Sequence, residues 1–191
     1  MKTRPGAHAR DLAKNLIQDL ERFAVRPAKS SEILGARDFA AQLIGDGIVG
    51  GADLERVHAL TAGSCLFLTH EGEDLTGVLA FVLLSELGLG ALHLGAFNAL
   101  APQSDHVAGP GSEACAFYGW GVAATTKVSA RRVVDAAKSI MGGAVGHLPK
   151  YARPTTEAGH RLMRERLGFV DLPGSRDGLV WQAPLKGVLA A

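Results

Sequence analysis

The chain has 191 residues, of which 47% are apolar and 20% charged, so it can bury one sizeable core and is not a disordered chain. Its 20 Lys and Arg balance 19 Asp and Glu, which excludes a general basic field, so we expect neither nucleic acid nor a membrane surface as a partner. No apolar stretch approaches the roughly 20 residues of a membrane helix, and the N-terminal stretch lacks a signal-peptide core, so we expect a soluble, cytoplasmic protein.

The first predicted element is an amphipathic helix over residues 10–23, in which Leu12, Leu16 and Leu20 recur at four-residue spacing. This leucine stripe must be covered by the protein's own sheet or by another subunit, so intramolecular packing and a homodimer both stay open. We take residues 1–22 as an N-terminal helical extension and residues 23–191 as one domain.

The next elements are a short extended piece, FAVRP, and a helix that begins at Ser30 or Ser31 and ends near Ile44. A glycine-rich loop and a short helix capped by Asp53 follow. Two strand-like runs, 65–70 and 75–86, are joined by EGED and predict a hairpin. The stretch ELGLGALHLGAFN is ambiguous between a strand and a short helix, and a long loop comes after it.

The second half of the chain alternates strands and helices. EACAFYGWGVAA has no polar alternation, which is typical of a central strand covered on both faces. An amphipathic helix then runs to Gly142–Gly143, and AVGHLPKYARP predicts another strand. A helix in TTEAGHRLMRERLGF and two closing strands complete the chain. The order predicts an α/β (α+β) fold with a mixed central sheet flanked by helices.

The junction at Thr125–Lys127 joins the central strand directly to a helix. The first amides of a helix lack intrahelical partners and carry partial positive charge. With two threonine hydroxyls and the Lys127 ammonium, they can cradle an anion. A threonine that only caps the helix explains the same residues.

This order of elements resembles the GNAT superfamily of acyl-CoA-dependent N-acyltransferases over roughly residues 23–183. The sharpest match is TTEAGHRLMRERLGFVDLPGS, which is similar to the family's last conserved block, and GWGVAATTKVSARRVVDAA stands where the acyl-CoA motif belongs. The resemblance implies an open slot between two diverging strands, with Val122 and Ala124 beside the pantetheine arm. It also implies a pyrophosphate turn made of Thr125, Thr126, Lys127, Val128, Ser129 and Ala130.

Two departures from the family pattern are visible. The family's turn is Gln/Arg-x-x-Gly-x-Gly/Ala, whereas TTKVSA has no glycine, which restricts how closely a pyrophosphate can approach the backbone. The family often places a tyrosine, the acid for the leaving thiolate, five residues before the Phe of its Gly-Phe pair. Arg164 stands at that position, and a guanidinium with a pKa above roughly 12 cannot donate this proton.

Acyl transfer requires that an attacking amine lose a proton, and the resemblance implies that a backbone N–H of the central strand polarises the carbonyl. Structural roles fit every candidate side chain as well. The candidate bases and acids near predicted strand ends are Glu86, His93, Glu113, His147, Tyr118 and Tyr151. The histidines and cysteines show no metal-ligand spacing, so we predict no metal.

The leading hypothesis is an acyltransferase of the GNAT type that moves an acyl group from acetyl-CoA or another acyl-CoA to a primary amine of a small molecule or peptide. The resemblance implies an acetyltransferase in the first place. The lost glycines and Arg164 favour a first alternative, a non-catalytic GNAT-like module that binds a ligand or a protein. A second alternative is an acyltransferase that depends on acyl-carrier protein, because a carrier supplies binding surface of its own.

Overall fold

The computed structural model describes residues 20–45, 47–175 and 178–185. The predicted helix over 10–23 lies outside these ranges except for its last residues, so the N-terminal extension stays a prediction. Leu20, the first described residue, is fully buried in the core. None of the helices within the described ranges is long and apolar enough to cross a membrane.

The described elements follow the order expected from the sequence. The helices are α1 (Ile33–Ile44), α2 (Gly51–Leu60), α3 (Glu86–His93), α4 (Lys127–Gly142) and α5 (Glu157–Arg161). The strands are β1 (Arg26–Pro27), β2 (Leu66–Glu71), β3 (Asp74–Leu84), β4 (Ala116–Ala124), β5 (Lys150–Ala152), β6 (Val170–Asp171) and β7 (Val180–Gln182). A π-helical turn, Leu162–Arg166, continues α5.

The seven strands form one sheet in the order β1-β2-β3-β4-β5-β7-β6. Every neighbouring pair is antiparallel except β4 and β5, which are parallel. A parallel pair requires a crossover, and α4 supplies it. The expected mixed sheet flanked by helices is therefore confirmed.

Two apolar layers cover the faces of the sheet, which explains why β4 lacks alternation. On one face, α4 places Val133, Ala137 and Ile140 against a stack of three phenylalanines from β2, β3 and β4. The ring centroids of Phe67 and Phe81 lie 5.3 Å apart, and those of Phe81 and Phe117 lie 4.9 Å apart. On the other face, α1, α2 and α3 cover the opposite side chains of the same strands.

Several local expectations are corrected by the structure. The ambiguous stretch is helix α3, whose start is capped by the Ser85 hydroxyl accepting from the Gly88 N–H at 3.1 Å. The α1 helix begins at Ile33 after a 3₁₀ turn, and Gly50, not Asp53, is the N-cap of α2. The predicted strand before α5 is reduced to β5, because turns occupy most of residues 143–148.

A β-bulge interrupts the pairing of β3 with β4. Ala80 pairs with Gly121 and Phe81 with Gly119, so Trp120 is an extra residue on β4. Such bulges bend a strand and redirect its side chains. This one lies at the last position where β4 still pairs with β5.

Candidate functional site

The parallel strands β4 and β5 diverge after three paired positions. Gly119 and Ala152 form the last pair, β5 ends there, and β4 continues to Ala124. The other edge of β4 is bonded to β3 along its whole length. Beyond the bulge, the outer edge of β4 therefore borders an open slot of about 70 Å³.

The slot is framed by the β4 backbone, by the segment that follows β5, and by α1 and α5. Gly119, Gly121 and Val122 form one wall, and Ala152 to Thr156 form the other. Side chains of α1 and of the π turn close its ends, from Ile44, Leu162 and Met163. Val122 lies where the resemblance places the pantetheine arm, and Ala124 lies farther along the same edge.

Two glycines on β4 keep the slot free of side chains. A Cβ added at Gly121 would lie 3.7 Å from Cδ1 of Ile44, and one at Gly119 would lie 3.5 Å from Cβ of Ala152. Between them, the indole N–H of Trp120 donates to the Ala99 carbonyl at 2.6 Å and so holds the loop after α3.

The start of α4 leaves only part of the predicted turn available to a ligand. The Thr126 hydroxyl caps the helix by accepting from the Ser129 N–H at 3.0 Å, and the Thr125 N–H donates to the Thr76 carbonyl at 3.0 Å. The Ala130 N–H makes the first helical bond, to the Thr126 carbonyl at 2.9 Å. In the described ranges, the amides of Lys127 and Val128 have no protein acceptor, and both side chains are exposed.

A carboxylate that the sequence analysis missed also lies at this helix start. Glu71, the last residue of β2, accepts from the Thr126 hydroxyl at 2.5 Å and from the Ser129 hydroxyl at 3.0 Å. These hydrogen bonds, first from Thr126 and then from Ser129, lower the pKa of the carboxyl group. Glu71 comes from the side of α4 that faces away from β5, because β3 lies between β2 and β4. An anion in the slot would therefore meet the Lys127 and Val128 amides on the other side.

A larger cavity opens beside the slot, on the face covered by α1. Its volume is about 360 Å³, and its floor is formed by Tyr118 and Trp120. The Tyr118 ring packs edge-on against Phe97 at 5.1 Å, and burial raises the pKa of its hydroxyl group. Polar groups at the rim come from Asn98, Arg153 and Thr155.

Three of the predicted catalytic residues, Tyr118, Tyr151 and His93, are close together near this cavity. Tyr118 pairs in register with Tyr151 of β5, and the Tyr151 hydroxyl lies 2.9 Å from Nε2 of His93 at the end of α3. Of the other three candidates, Glu86 is the exposed first residue of α3, and Glu113 and His147 precede β4 and β5. Glu113 and His147 therefore lie near the amino ends of these strands, whereas the strands diverge at their carboxyl ends, roughly 10 Å away along β4.

The side chain expected from the family's tyrosine position does not enter the slot. Arg164 is exposed and forms an ion pair with Asp171 of β6 at 2.6 Å. Met163, its neighbour, lines the slot instead. Gly159, Leu162 and Met163 share the face turned to the slot, at the i, i+3 and i+4 spacing of a helix, and Arg164 lies off that face. Among the described residues, no group of three or more His, Cys, Asp or Glu is arranged to hold a metal.

Comparisons with known proteins extend the description of the fold. No protein-family model and no curated protein matches this chain. A solved structure described as histone acetyltransferase HPA2 and related acetyltransferase, from Corynebacterium glutamicum, is similar at 17% identity over 87% of this chain and 98% of its own, with a TM-score of 0.49. A GNAT family acetyltransferase from Brucella melitensis, solved in complex with acetyl-CoA, is similar at 14% identity over 83% and 86%, with a TM-score of 0.47. Both solved structures are similar to this chain over most of its length, at low sequence identity.

Proposed function

We propose that this chain is an acyl-CoA-dependent N-acyltransferase that transfers an acyl group, acetyl in the simplest case, to a primary amine. The observation that carries the proposal is the free outer edge of β4 beside an open slot, on a strand that ends at Ala124 and leads into α4 at Lys127. An extended ligand with its own amide groups can bond to such an edge as an added strand. The pantetheine arm of CoA has that chemistry.

In this proposal the donor lies along β4 with its pyrophosphate at α4. Val122 and Ala124 offer backbone groups to the arm, and the amides of Lys127 and Val128 face the pyrophosphate together with the Lys127 ammonium. Thr125, Ser129 and Ala130 act by shaping the turn, because their own amides are already bonded within the protein. Thr126 shapes it through its hydroxyl group, which caps the helix by accepting from the Ser129 N–H.

The acceptor amine would enter through the 360 Å³ cavity and attack the thioester carbonyl at the bulge. A bond forms between the amine nitrogen and the carbonyl carbon, and a backbone N–H of β4 near Gly119 stabilises the negative charge on the carbonyl oxygen. The carbon–sulfur bond then breaks. The proton lost by the amine ends on the thiolate, and we assign its relay to Tyr151, which is hydrogen-bonded to His93 and pairs in register with Tyr118 of the cavity floor. Met163 of the slot wall has no proton to donate.

The first test measures donor binding and turnover separately. Calorimetry with acetyl-CoA and desulfo-CoA should detect binding, and release of free thiol should follow when a panel of primary amines is added. Lys127→Met should weaken CoA binding roughly 3- to 10-fold, as expected for one partly screened charge pair. Lys138→Met, on an exposed part of the same helix, is the matched control. Absence of heat and of any thermal shift at millimolar ligand would refute the proposal.

A second candidate is favoured by the carboxylate at α4. Glu71 adds negative charge beside a turn that has no glycine, and both features disfavour a nucleotide pyrophosphate. An acyl-carrier protein presents the same arm without the nucleotide, so its acyl chain could reach the slot unhindered. Comparing acyl-CoA with acyl-carrier donors in the thiol-release assay separates the two. Binding of CoA without turnover of any donor would instead favour a non-catalytic binding module.

A further inference from the structure

A second, smaller cavity lies on the α1 face of the sheet, beside the slot. It has a volume of about 40 Å³ and is enclosed by α1, α2 and the middle of β2, β3 and β4. Its walls are apolar, from residues such as Ala36, Ala40, Leu54, Val78 and Ala123. Arg37 reaches only its edge, because its guanidinium bonds to the Val49 carbonyl and to Asp38.

This cavity borders the slot. Ile44, Trp120 and Gly121 line both of them, and the last two lie at the β-bulge. The small cavity also borders the larger cavity, with which it shares Ile44, Ile48, Val49 and Trp120. In the proposed reaction, the thioester carbonyl would lie at the same bulge. Small side chains at Ala36, Ala40 and Gly121 create the space, which is unusual because protein interiors are close-packed.

The apolar walls of the small cavity determine whether an amine or an alkyl chain can bind there. An amine approaching as an ammonium ion would lose its hydration there without gaining a partner, whereas an alkyl chain would gain by burial. The larger cavity, where the Asn98 amide oxygen and the Thr155 hydroxyl group can accept hydrogen bonds, suits the amine-bearing acceptor better. The small cavity is therefore matched to the apolar end of the donor.

We propose that this cavity receives the acyl chain of the donor and selects short-chain acyl thioesters that are longer than acetyl. The inference rests on the proposed acyltransferase function and specifies its donor class. A water-sized group needs about 10–15 Å³ of such space, so a cavity of about 40 Å³ holds roughly three of them. Three carbons beyond the carbonyl carbon make a butyryl group.

The test compares acetyl-, butyryl- and octanoyl-CoA by calorimetry and by turnover with one amine. Each buried methylene should tighten binding about fourfold, so butyryl-CoA should bind roughly 15-fold tighter than acetyl-CoA, and octanoyl-CoA should lose this gain. Ala40→Leu fills the cavity and should abolish the butyryl advantage while acetyl-CoA still binds. Ala41→Leu, one position along α1 and outside the cavity lining, is the matched control. Val78→Ala enlarges the cavity without touching the lining of the larger one and should move the optimum toward a longer chain.

Equal binding of acetyl- and butyryl-CoA to the unmodified protein would overturn the inference and leave the acyltransferase proposal standing. An effect of Ala40→Leu on the KM of the amine alone would also overturn it, because the cavity would then belong to the acceptor. Failure of every CoA thioester to bind would refute the acyltransferase proposal itself, and the donor class with it.

Discussion

Replacing Gly121 by valine should stabilise the fold and block the slot at the same time. Gly121 has no positive φ, so a side chain causes no backbone strain there. The first added atom would lie 3.7 Å from Cδ1 of Ile44, an ordinary contact. Further atoms of valine would extend into the slot and the apolar cavity, both of which Gly121 lines.

The stabilisation can be worked out from two contributions. Glycine inside a strand costs about 0.5–1 kcal/mol relative to alanine. Burying the additional methyl groups contributes up to about 0.8 kcal/mol each, so the free energy of unfolding should rise by about 1–3 kcal/mol. In a domain of this size, each kcal/mol raises the Tm by about 2–4 °C.

The loss of activity follows from the same atoms. A donor that must share the slot with valine meets an overpacked site, which costs about 1–3 kcal/mol and lowers kcat/KM by roughly 5- to 150-fold. Gly121→Ala should have a smaller effect, because its Cβ fits beside Ile44. Thermal unfolding and thiol release measure the two effects on the same sample.

Ile44→Ala provides the decisive control in a double-mutant cycle. Truncation of Ile44 makes room for valine, so activity lost in Gly121→Val should be partly recovered in the double variant. Unchanged activity in Gly121→Val would show that no substrate occupies this part of β4. A loss of activity that Ile44→Ala leaves unrelieved would place the effect elsewhere than in the slot.

Three further substitutions test other parts of the site and fold. Thr126→Val removes the cap of α4, and Thr156→Val removes that of α5; each should cost about 1 kcal/mol of stability. In calorimetry, only Thr126→Val should weaken the binding of CoA more than the binding of pantetheine. Glu32, whose pKa is lowered from 4.5 to about 2 mainly by an arginine hydrogen bond, stabilises the fold above pH 4.5 and loses this effect as the pH falls toward 2. Glu32→Gln should therefore cost about 1 kcal/mol in urea unfolding at pH 7, after allowance for solvent screening, and nothing near pH 2; an equal cost at both would contradict the ion pair. Trp120→Phe removes the bond to Ala99 and should raise the KM of the amine, and faster hydrogen exchange in residues 97–100 would support that cause.

Local sequence was sufficient for the elements and their order. The amphipathic stripe of α4 and the capping role of Thr126 follow from residues within four positions of each other. The even hydrophobicity of 113–124 likewise predicted a central strand, β4, and that strand borders the slot. The stretch that forms α3 was ambiguous for the same reason, since its glycines weaken the helical pattern and only packing against the sheet decides it.

The arrangement of the candidate site depended on contacts between distant parts of the chain. Glu71 lies 55 positions from Thr126, and only the register of β2, β3 and β4 brings its carboxylate to the start of α4. Glu113 and His147 are about as far apart in the sequence as Gly119 and Ala152, the last paired residues of β4 and β5. They lie at the other end of these strands, however, so the direction of the strands separates them from the point of divergence. The packing of α5 and the turn after it places Met163, not Arg164, in the slot wall. Secondary structure is set by neighbours a few residues apart, whereas a site is assembled by strand register and helix packing, which no short stretch of sequence contains.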